Sequence, residues 1–471
     1  MRHDNEPNPA SIIAMIKNAF TLEDLLKGTG GDLKQKGQEE YSAISTNSKE
    51  AQDGAIFWPL IGDKFDAHDF ISQAIKNGAK AVVSAKDIEL PKDVTFLRVA
   101  DTLSALQDFA RFWRRKMQKP VFAITGSNGK TTTKEFLQQI LSSQYKVCYS
   151  SGSFNNHWGV PFSLLQIRPE HDLMISEMGM NHVGEIAKLC KIAEPDFTLV
   201  TVVGRAHLEY MKTVENIAKE KEGIYRASPQ SSKIFNLDNS YTKEMMLRYQ
   251  DSSQITFSLK DSSADVFLEK KEGSLLQGHI GKTPGEANFS VFGSQNLMNL
   301  AAAIAMAHAY GMPAKQIWSA ISSCKTIWGR NQWVDLASGA KAVFDAYNAN
   351  PDSMSALLDN IQDWNGHQKQ FLVLGDMLEI GESNDQEHID LARRVREMNF
   401  EKVYFIGKNA QLFADAYGKK NIMISDLYKE SLAKDLATML GNSDIVFMKA
   451  SRSIGLENFL LALEPLNFES K

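Results

Sequence analysis

The stretch "VFAITGSNGKTTTKEF", residues 121–136, decides the fold. An apolar run, VFAIT, passes through glycines into a helix-forming stretch, TTTKEFLQQIL. Strand, glycine-rich turn and helix in that order make an anion site, because free backbone N–H groups at the helix N-terminus face the ligand. The general phosphate-loop pattern is G-x-x-x-x-G-K-[ST]. Gly129, Lys130 and Thr131 fit it, but Ile124 occupies the position of the first glycine. The loop here is Gly126, Ser127, Asn128, Gly129, Lys130, Thr131 and Thr132. Lys130 is expected to reach the β- and γ-phosphates of a nucleotide, and the Thr131 hydroxyl to ligate Mg²⁺. The plainer reading, an ordinary glycine-rich turn, leaves the coincidence of strand, loop, Lys and Thr to chance.

The same texture continues outward. Apolar runs alternate with helical patterns: LMISEMG then Glu185–Ile192, and FTLVTVV then Val214–Tyr225. Such alternation predicts βαβ units around a largely parallel sheet. Residues 251–287, rich in Ser, Asp and Gly, read as a β-rich insertion with exposed turns. After Gly329-Arg330 the alternation resumes with KAVFD, FLVLGD, VYFIG and DIVFMKA, a second Rossmann-like unit. Before residue 117, short apolar runs mix with helical stretches, and Lys119-Pro120 marks a stop. For a chain of 471 residues, three α/β domains are expected: 1–117, 118–327 and 328–471.

Composition narrows the class. With 43% hydrophobic and 23% charged residues the chain reads as an ordinary globular protein. Its net charge of −5 argues against undirected binding to nucleic acid or to anionic membrane. The three cysteines, Cys148, Cys190 and Cys324, form no C-x-x-C pair, which suits a reducing compartment. No apolar run reaches the roughly 18 residues of a membrane span. MRHDNEPNPA at the N-terminus lacks the apolar core of a signal peptide, so a cytoplasmic location is expected.

Further polar residues cluster at strand ends, where ligand crevices of α/β sheets open. In "DLMISEMGMNH", Glu177 closes an apolar strand and can hold a nucleotide's Mg²⁺, although a solvated turn carboxylate looks the same. His207 follows the next strand in "FTLVTVVGRAHLEYM"; a lone His is more often structural. On the following helix, Val214, Ile217, Ala218, Lys221 and Tyr225 share one face, whereas Lys219 points away. A Lys on an apolar stripe snorkels, pairs or loses its charge, and as a neutral amine it can take up CO₂ as a carbamate. From this helix alone, snorkelling is the simpler reading. Asn155 and Asn156 offer amides for sugar or phosphate groups, or else a polar turn before a helix. Asn296 and Asn299 open an Ala-rich helix, and "DAYNANPDSM" supplies Asp345, Tyr347, Asn348 and Asn350, where turn residues are also common. "GDMLEIGE" (375–382) and "KASR" (449–452, ending at Arg452) end two more apolar runs.

In order, these motifs resemble the Mur ligases, ATP-dependent amide-forming enzymes of peptidoglycan synthesis. The resemblance runs from Gly126 to Pro351 and, through "GDMLEIGE" and "KASR", almost to the C-terminus. "EMGMNHVGEI", "DAYNANP", "GDMLEIGE" and "FDAHDF" (65–70) are most similar to the branch that adds D-alanyl-D-alanine to UDP-MurNAc-tripeptide. The family's own loop lacks the upstream glycine. The resemblance implies Lys130, Glu177, His207 and Lys221 as the catalytic set, with two Mg²⁺ ions held by Thr131, Glu177, His207 and a carbamylated Lys221. It implies ATP contacts from the loop and from Asn296, Asn299, Arg330 and Asp345. Substrate contacts would come from Asn47, Ser48, Lys49, Asn155, Asn156, Tyr347, Asn348, Asn350 and Arg452, in a monomer closing about Gly329. The third residue of the acceptor stays open between diaminopimelate and lysine.

This chain departs from the family at three places. Asn47-Ser48-Lys49 replaces D-[ST]-R, removing a bidentate phosphate fork and a carboxylate. Gln295 stands where His is usual before Asn296, and Ala450 where Gly is common. The alternatives are another Mur-type ligase, such as the one adding the third peptide residue, a P-loop kinase or motor ATPase, and a silent scaffold. "DAYNANP" and "FDAHDF" oppose the first, the incomplete Walker pattern the second, and intact Lys130, Glu177, His207 and Lys221 the third.

Overall fold

The computed structural model describes residues 15–62, 65–150, 152, 154–250, 252–364 and 368–468. MRHDNEPNPA, and the two serines flanking Gly152 in the stretch before Asn155, lie outside them. Three large sheets follow one another along the chain.

The first has six strands between Met15 and Arg98, parallel within and antiparallel at both edges. The second has nine, in the order Val147–Tyr149, Leu173–Glu177, Val121–Thr125, Phe197–Val200, Ser232–Asn236, Gln254–Ser258, Val266–Lys270, Leu275–Ile280 and Thr283–Asn288. Neighbours pair in parallel except at Leu275–Ile280, which runs antiparallel to the strands on both its sides. The expected β-rich insertion therefore joins the central sheet as its far edge. The third sheet is parallel except for its edge strand Gln332–Asp335.

The strand Val121–Thr125 reads as an unbroken apolar run because the sheet is covered on both faces, and all five residues are buried. Phe122 stacks on Phe197 of the next strand at 4.5 Å between centroids. The helix Lys130–Leu141 turns Phe136, Leu137, Ile140 and Leu141 inward, each fully buried, at about 1.5–3 kcal/mol apiece. Its partner is the helix Ser294–Ala309, whose alanines Ala301, Ala302, Ala303, Ala305 and Ala307 let the backbones approach. Since the neighbours of Val121–Thr125 are reached by connections in opposite directions, a crevice opens at its carboxyl end. Gly126, Glu177 and the segment leading to His207 all emerge there.

The helix Thr102–Met117 joins the first sheet to the second. Trp58 Nε1 donates to its Thr102 carbonyl at 2.8 Å, and its own Trp113 Nε1 donates to Ile167 O at 2.9 Å. Arg114 bonds Ala193 O, Glu194 O and the Asp196 carboxylate. Among the described residues, no helix is long and apolar enough to cross a membrane.

Candidate active site

A cavity of about 830 Å³ lies at this crevice. The phosphate-type loop forms its floor: Gly129 is left-handed at φ +82° and hands the chain to the helix beginning at Lys130. The loop is braced from behind. Ser127 Oγ donates to Gly204 O at 3.0 Å and Thr201 Oγ1 to Asn128 O at 2.6 Å. Lys130 Nζ donates to Gly126 O at 2.8 Å, curling back over the loop. Burial, with Arg330 nearby, holds the Lys130 ammonium below its ordinary value, against the opposing pull of Glu177.

Glu177 is 1% exposed, and both its oxygens are engaged. Thr131 Oγ1 donates to one at 2.8 Å and Asn155 Nδ2 to the other at 2.7 Å. Arg330 Nη2 reaches Thr131 Oγ1 at 3.3 Å while its guanidinium stacks on Tyr347, 4.2 Å from the ring centroid. The cavity thus brings together Lys130, Thr131, Glu177, Asn155, His207, Arg330, Tyr347, Asn348 and Arg452 from stretches far apart in sequence.

His207 stands at φ +57°, and its Nδ1 lies 2.9 Å from Glu379 Oε2. Burial lowers its pKa, helped by the neighbouring charges of Lys130 and Lys221, so a neutral imidazole fit for metal ligation is favoured at neutral pH. Lys221 is 1% exposed, and its side-chain amine forms no hydrogen bond or ion pair with a described residue. Desolvation, reinforced by Lys130, depresses it well below 10.5. The apolar stripe is as the wheel drew it: Ile217, Ala218 and Tyr225 are buried beside Lys221, and Lys219 is exposed.

Other expected contacts lie elsewhere. Asn299 sits under the loop, not on the cavity wall: Thr133 Oγ1 donates to its Oδ1, and Asn299 in turn donates to Asn296 Oδ1 at 3.3 Å. Asp345 is paired with Lys449 at 2.6 Å, behind the wall. Asn156 accepts from Trp158 N and Gly159 N, the turn role, while still lining the rim. Asn350 caps the helix Pro351–Gln362 and bonds Asn128 of the loop at 2.8 Å. Asn47, Ser48 and Lys49 stay in the first unit, where Asn47 Oδ1 accepts from Lys49 N and Ser48 Oγ donates to Gln73. Gln295 accepts from Asn360, linking the Ala-rich helix to the third unit.

Three contributors were not singled out from the sequence. Glu379, inside "GDMLEIGE", faces His207 from a left-handed position at φ +60°. Arg205 joins Asp352 and Glu387 of the third unit at 2.7 and 2.9 Å. Lys134, 0% exposed, donates to Ser150 O and Gly152 O and so fixes the loop before Asn155. The wheel test that marks Lys221 would also have marked Lys134.

Comparison with known proteins places this architecture. Residues 124–307 match the Mur ligase middle domain, and residues 329–452 the Mur ligase, glutamate ligase domain. The UDP-N-acetylmuramoyl-tripeptide–D-alanyl-D-alanine ligase of Escherichia coli (strain K12) is 30% identical over 457 residues, 95% of this chain and 98% of that one. The chain belongs to the Mur ligase family. A crystal structure of MurF from Acinetobacter baumannii superposes on this Mur ligase with a TM-score of 0.86 and 30% identity, over 95% of this chain and 99% of that one. MurF ligase from Thermotoga maritima, solved in complex with ADP, gives a TM-score of 0.79 at 30% identity, covering 89% and 96%. This Mur ligase is thus an ATP-dependent peptide ligase built on three α/β units.

Proposed function

We propose that this Mur ligase joins D-alanyl-D-alanine to the terminal carboxyl of UDP-MurNAc-tripeptide, releasing ADP and phosphate, in cytoplasmic peptidoglycan precursor synthesis. The observation that carries it is the convergence of Lys130, the Thr131–Glu177–Asn155 chain, His207 and Arg330 on one cavity, in a chain matched over 95% of its length by a ligase of that name. The proposed domains are 1–117 for the UDP end, 118–327 for ATP and 328–471 for the dipeptide, in a monomer.

A carboxylate resists attack by an amine because its carbonyl carbon is electron-rich and its leaving group poor. Transfer of the γ-phosphoryl from ADP oxygen to carboxylate oxygen gives an acyl phosphate. The dipeptide amine then attacks that carbonyl carbon, the C–O bond to phosphate breaks, and the amine's extra proton is released. Positioning and charge stabilisation do most of the work. Lys130 and the loop N–H groups receive the phosphates, and Arg330, held by its Tyr347 stack, faces the same charge from the third unit.

The donor chemistry fits Mg²⁺, which takes one or two carboxylates plus substrate phosphates. Among the described residues, no three His, Cys, Asp or Glu side chains converge as a ready-made metal cage. Thr131 and Glu177 would hold one ion, and His207 with Lys221 as its carbamate the other. Bound Mg²⁺ supplies charge neutralisation for the phosphoryl group. The unpaired, neutral-leaning Lys221 amine is the form that takes up CO₂.

Incubation with ATP, Mg²⁺, UDP-MurNAc-tripeptide and D-Ala-D-Ala should release phosphate only when both acceptor and dipeptide are present. Release with the dipeptide acceptor and a free third amino acid instead would reassign the enzyme to the preceding step of the family.

A further inference from the structure

A second cleft, about 300 Å³, opens between the joining helix Thr102–Met117 and the helix Glu185–Ala193. It is continuous with the main cavity, sharing Asn156, His157, Gly179 and Glu185 as lining. The junction is close to the chemistry. Gly179 lies two residues after Glu177, its N–H donates to Asn155 O at 2.7 Å, and Asn155 is the amide that holds Glu177. A Cβ at Gly179 would meet Asn155 Oδ1 at 2.7 Å, so the passage is narrow.

The walls are fixed. Gln107 Nε2 donates to His157 O at 3.1 Å, and Arg114 ties the two helices together at their far ends. The cleft's charge is unbalanced toward positive. Arg111 is paired with Asp108 at 2.8 Å, and Glu185 accepts from Asn181 N and His182 N. Lys188 and Lys191 are exposed, and their side chains form no ion pair or hydrogen bond with a described residue.

In the proposed reaction the activated carboxyl and the side chain of the third residue are borne on the same carbon. With the carboxyl beside Glu177 and Lys130, that side chain must leave the cavity through an adjoining space. We propose that the cleft between Thr102–Met117 and Glu185–Ala193 receives the side chain of the acceptor's third residue, and that Lys188 and Lys191 select one ending in a carboxylate. Diaminopimelate is lysine with a carboxylate added on its terminal carbon; both carry the ammonium, and only diaminopimelate offers the anion that two lysines attract. This inference rests on the ligase reading above.

The test is steady-state kinetics on the full-length enzyme with two acceptors that differ only at the third residue, meso-diaminopimelate or L-lysine. The wild type should show the lower KM for the diaminopimelyl acceptor. Replacing both lysines (Lys188→Ala with Lys191→Ala) should raise that KM about tenfold, one charge-assisted contact, and shift the lysyl KM less than about twofold. KM for ATP should stay put, and the charge-reversed pair (Lys188→Glu with Lys191→Glu) should favour the lysyl acceptor. Equal effects on both acceptors, or none on either, overturn the assignment while leaving the ligase reading intact. Absence of turnover with either acceptor in the wild type overturns both.

Discussion

Lys221 shows how much one side chain can carry. Its amine is buried beside Lys130, and desolvation lowers its affinity for a proton. The sign of the stability effect follows. The unfolded chain protonates this amine near 10.5 and the folded chain only at lower pH, so the unfolded state binds more protons between the two values and stability rises with pH across that window. Below the folded value the cost is fully present; above the unfolded value it vanishes. Lys221→Met should therefore melt above the wild type at neutral pH in CO₂-free, Mg²⁺-free buffer, with the gap narrowing as pH approaches 10.5. A gap that widens with pH would refute a buried, destabilised amine. The same variant, and Lys221→Ala, should lose turnover with no rescue by bicarbonate; surviving activity would move the role to Lys219. Sequence periodicity made Lys221 legible because burial of a face is a local property. It could not separate Lys221 from Lys134, since Lys134 is relieved by the Ser150 and Gly152 carbonyls, which only the fold brings near.

At the scale of elements, the phosphate loop was readable because strand, turn and helix are contiguous. Its tolerance to change was not, because the atoms packed against it come from distant segments. A Cβ at Gly129 would fall 2.2 Å from Asn299 Oδ1, on a backbone at φ +82° that side chains rarely adopt. Gly129→Ala should cost about 1–3 kcal/mol for the strain alone and abolish ATP binding. Thermal melting and nucleotide titration check this, and unaltered ATP affinity would mean the loop is not the phosphate cradle. The contact also gives Asn299 a structural part beside the ATP contact that the resemblance implies: its amide buttresses the loop from below. "GDMLEIGE" is a parallel case. Asp376 accepts from Lys408 N and Asn409 N, and His388 Nε2 accepts from Met377 N, so the turn is pinned at its root and Glu379 is held out toward His207. The motif was visible in sequence, but which of its residues faces the cavity depended on that pinning.

At the scale of the molecule, the third unit is docked on the second by polar contacts around the site. Arg205 is forked between Asp352 and Glu387, Asn350 meets Asn128, and Arg330 reaches Thr131. These polar contacts stand beside an apolar one, where Phe292 of the second unit packs on Trp333, Trp364 and Phe447, and contacts of the polar kind are suited to opening and closing around ATP. The Arg205 side chain is 42% exposed, so screening limits each of its pairs to about 1 kcal/mol or less. That is still enough to shift a nearly balanced open–closed equilibrium several-fold. Arg205→Ala should therefore enlarge the radius of gyration in solution scattering without ligand, and wild-type enzyme in high salt should expand the same way. Melting should move little, because the buried cores of the second and third sheets do not depend on Arg205. ATP with Mg²⁺ should restore the compact profile in both proteins, with a higher ligand requirement for the variant, whose closed state is less populated. Identical scattering for wild type and variant at every salt concentration would mean that Arg205 does not hold the units together, and that the closure energy resides in the loop contacts of Asn128 and Arg330.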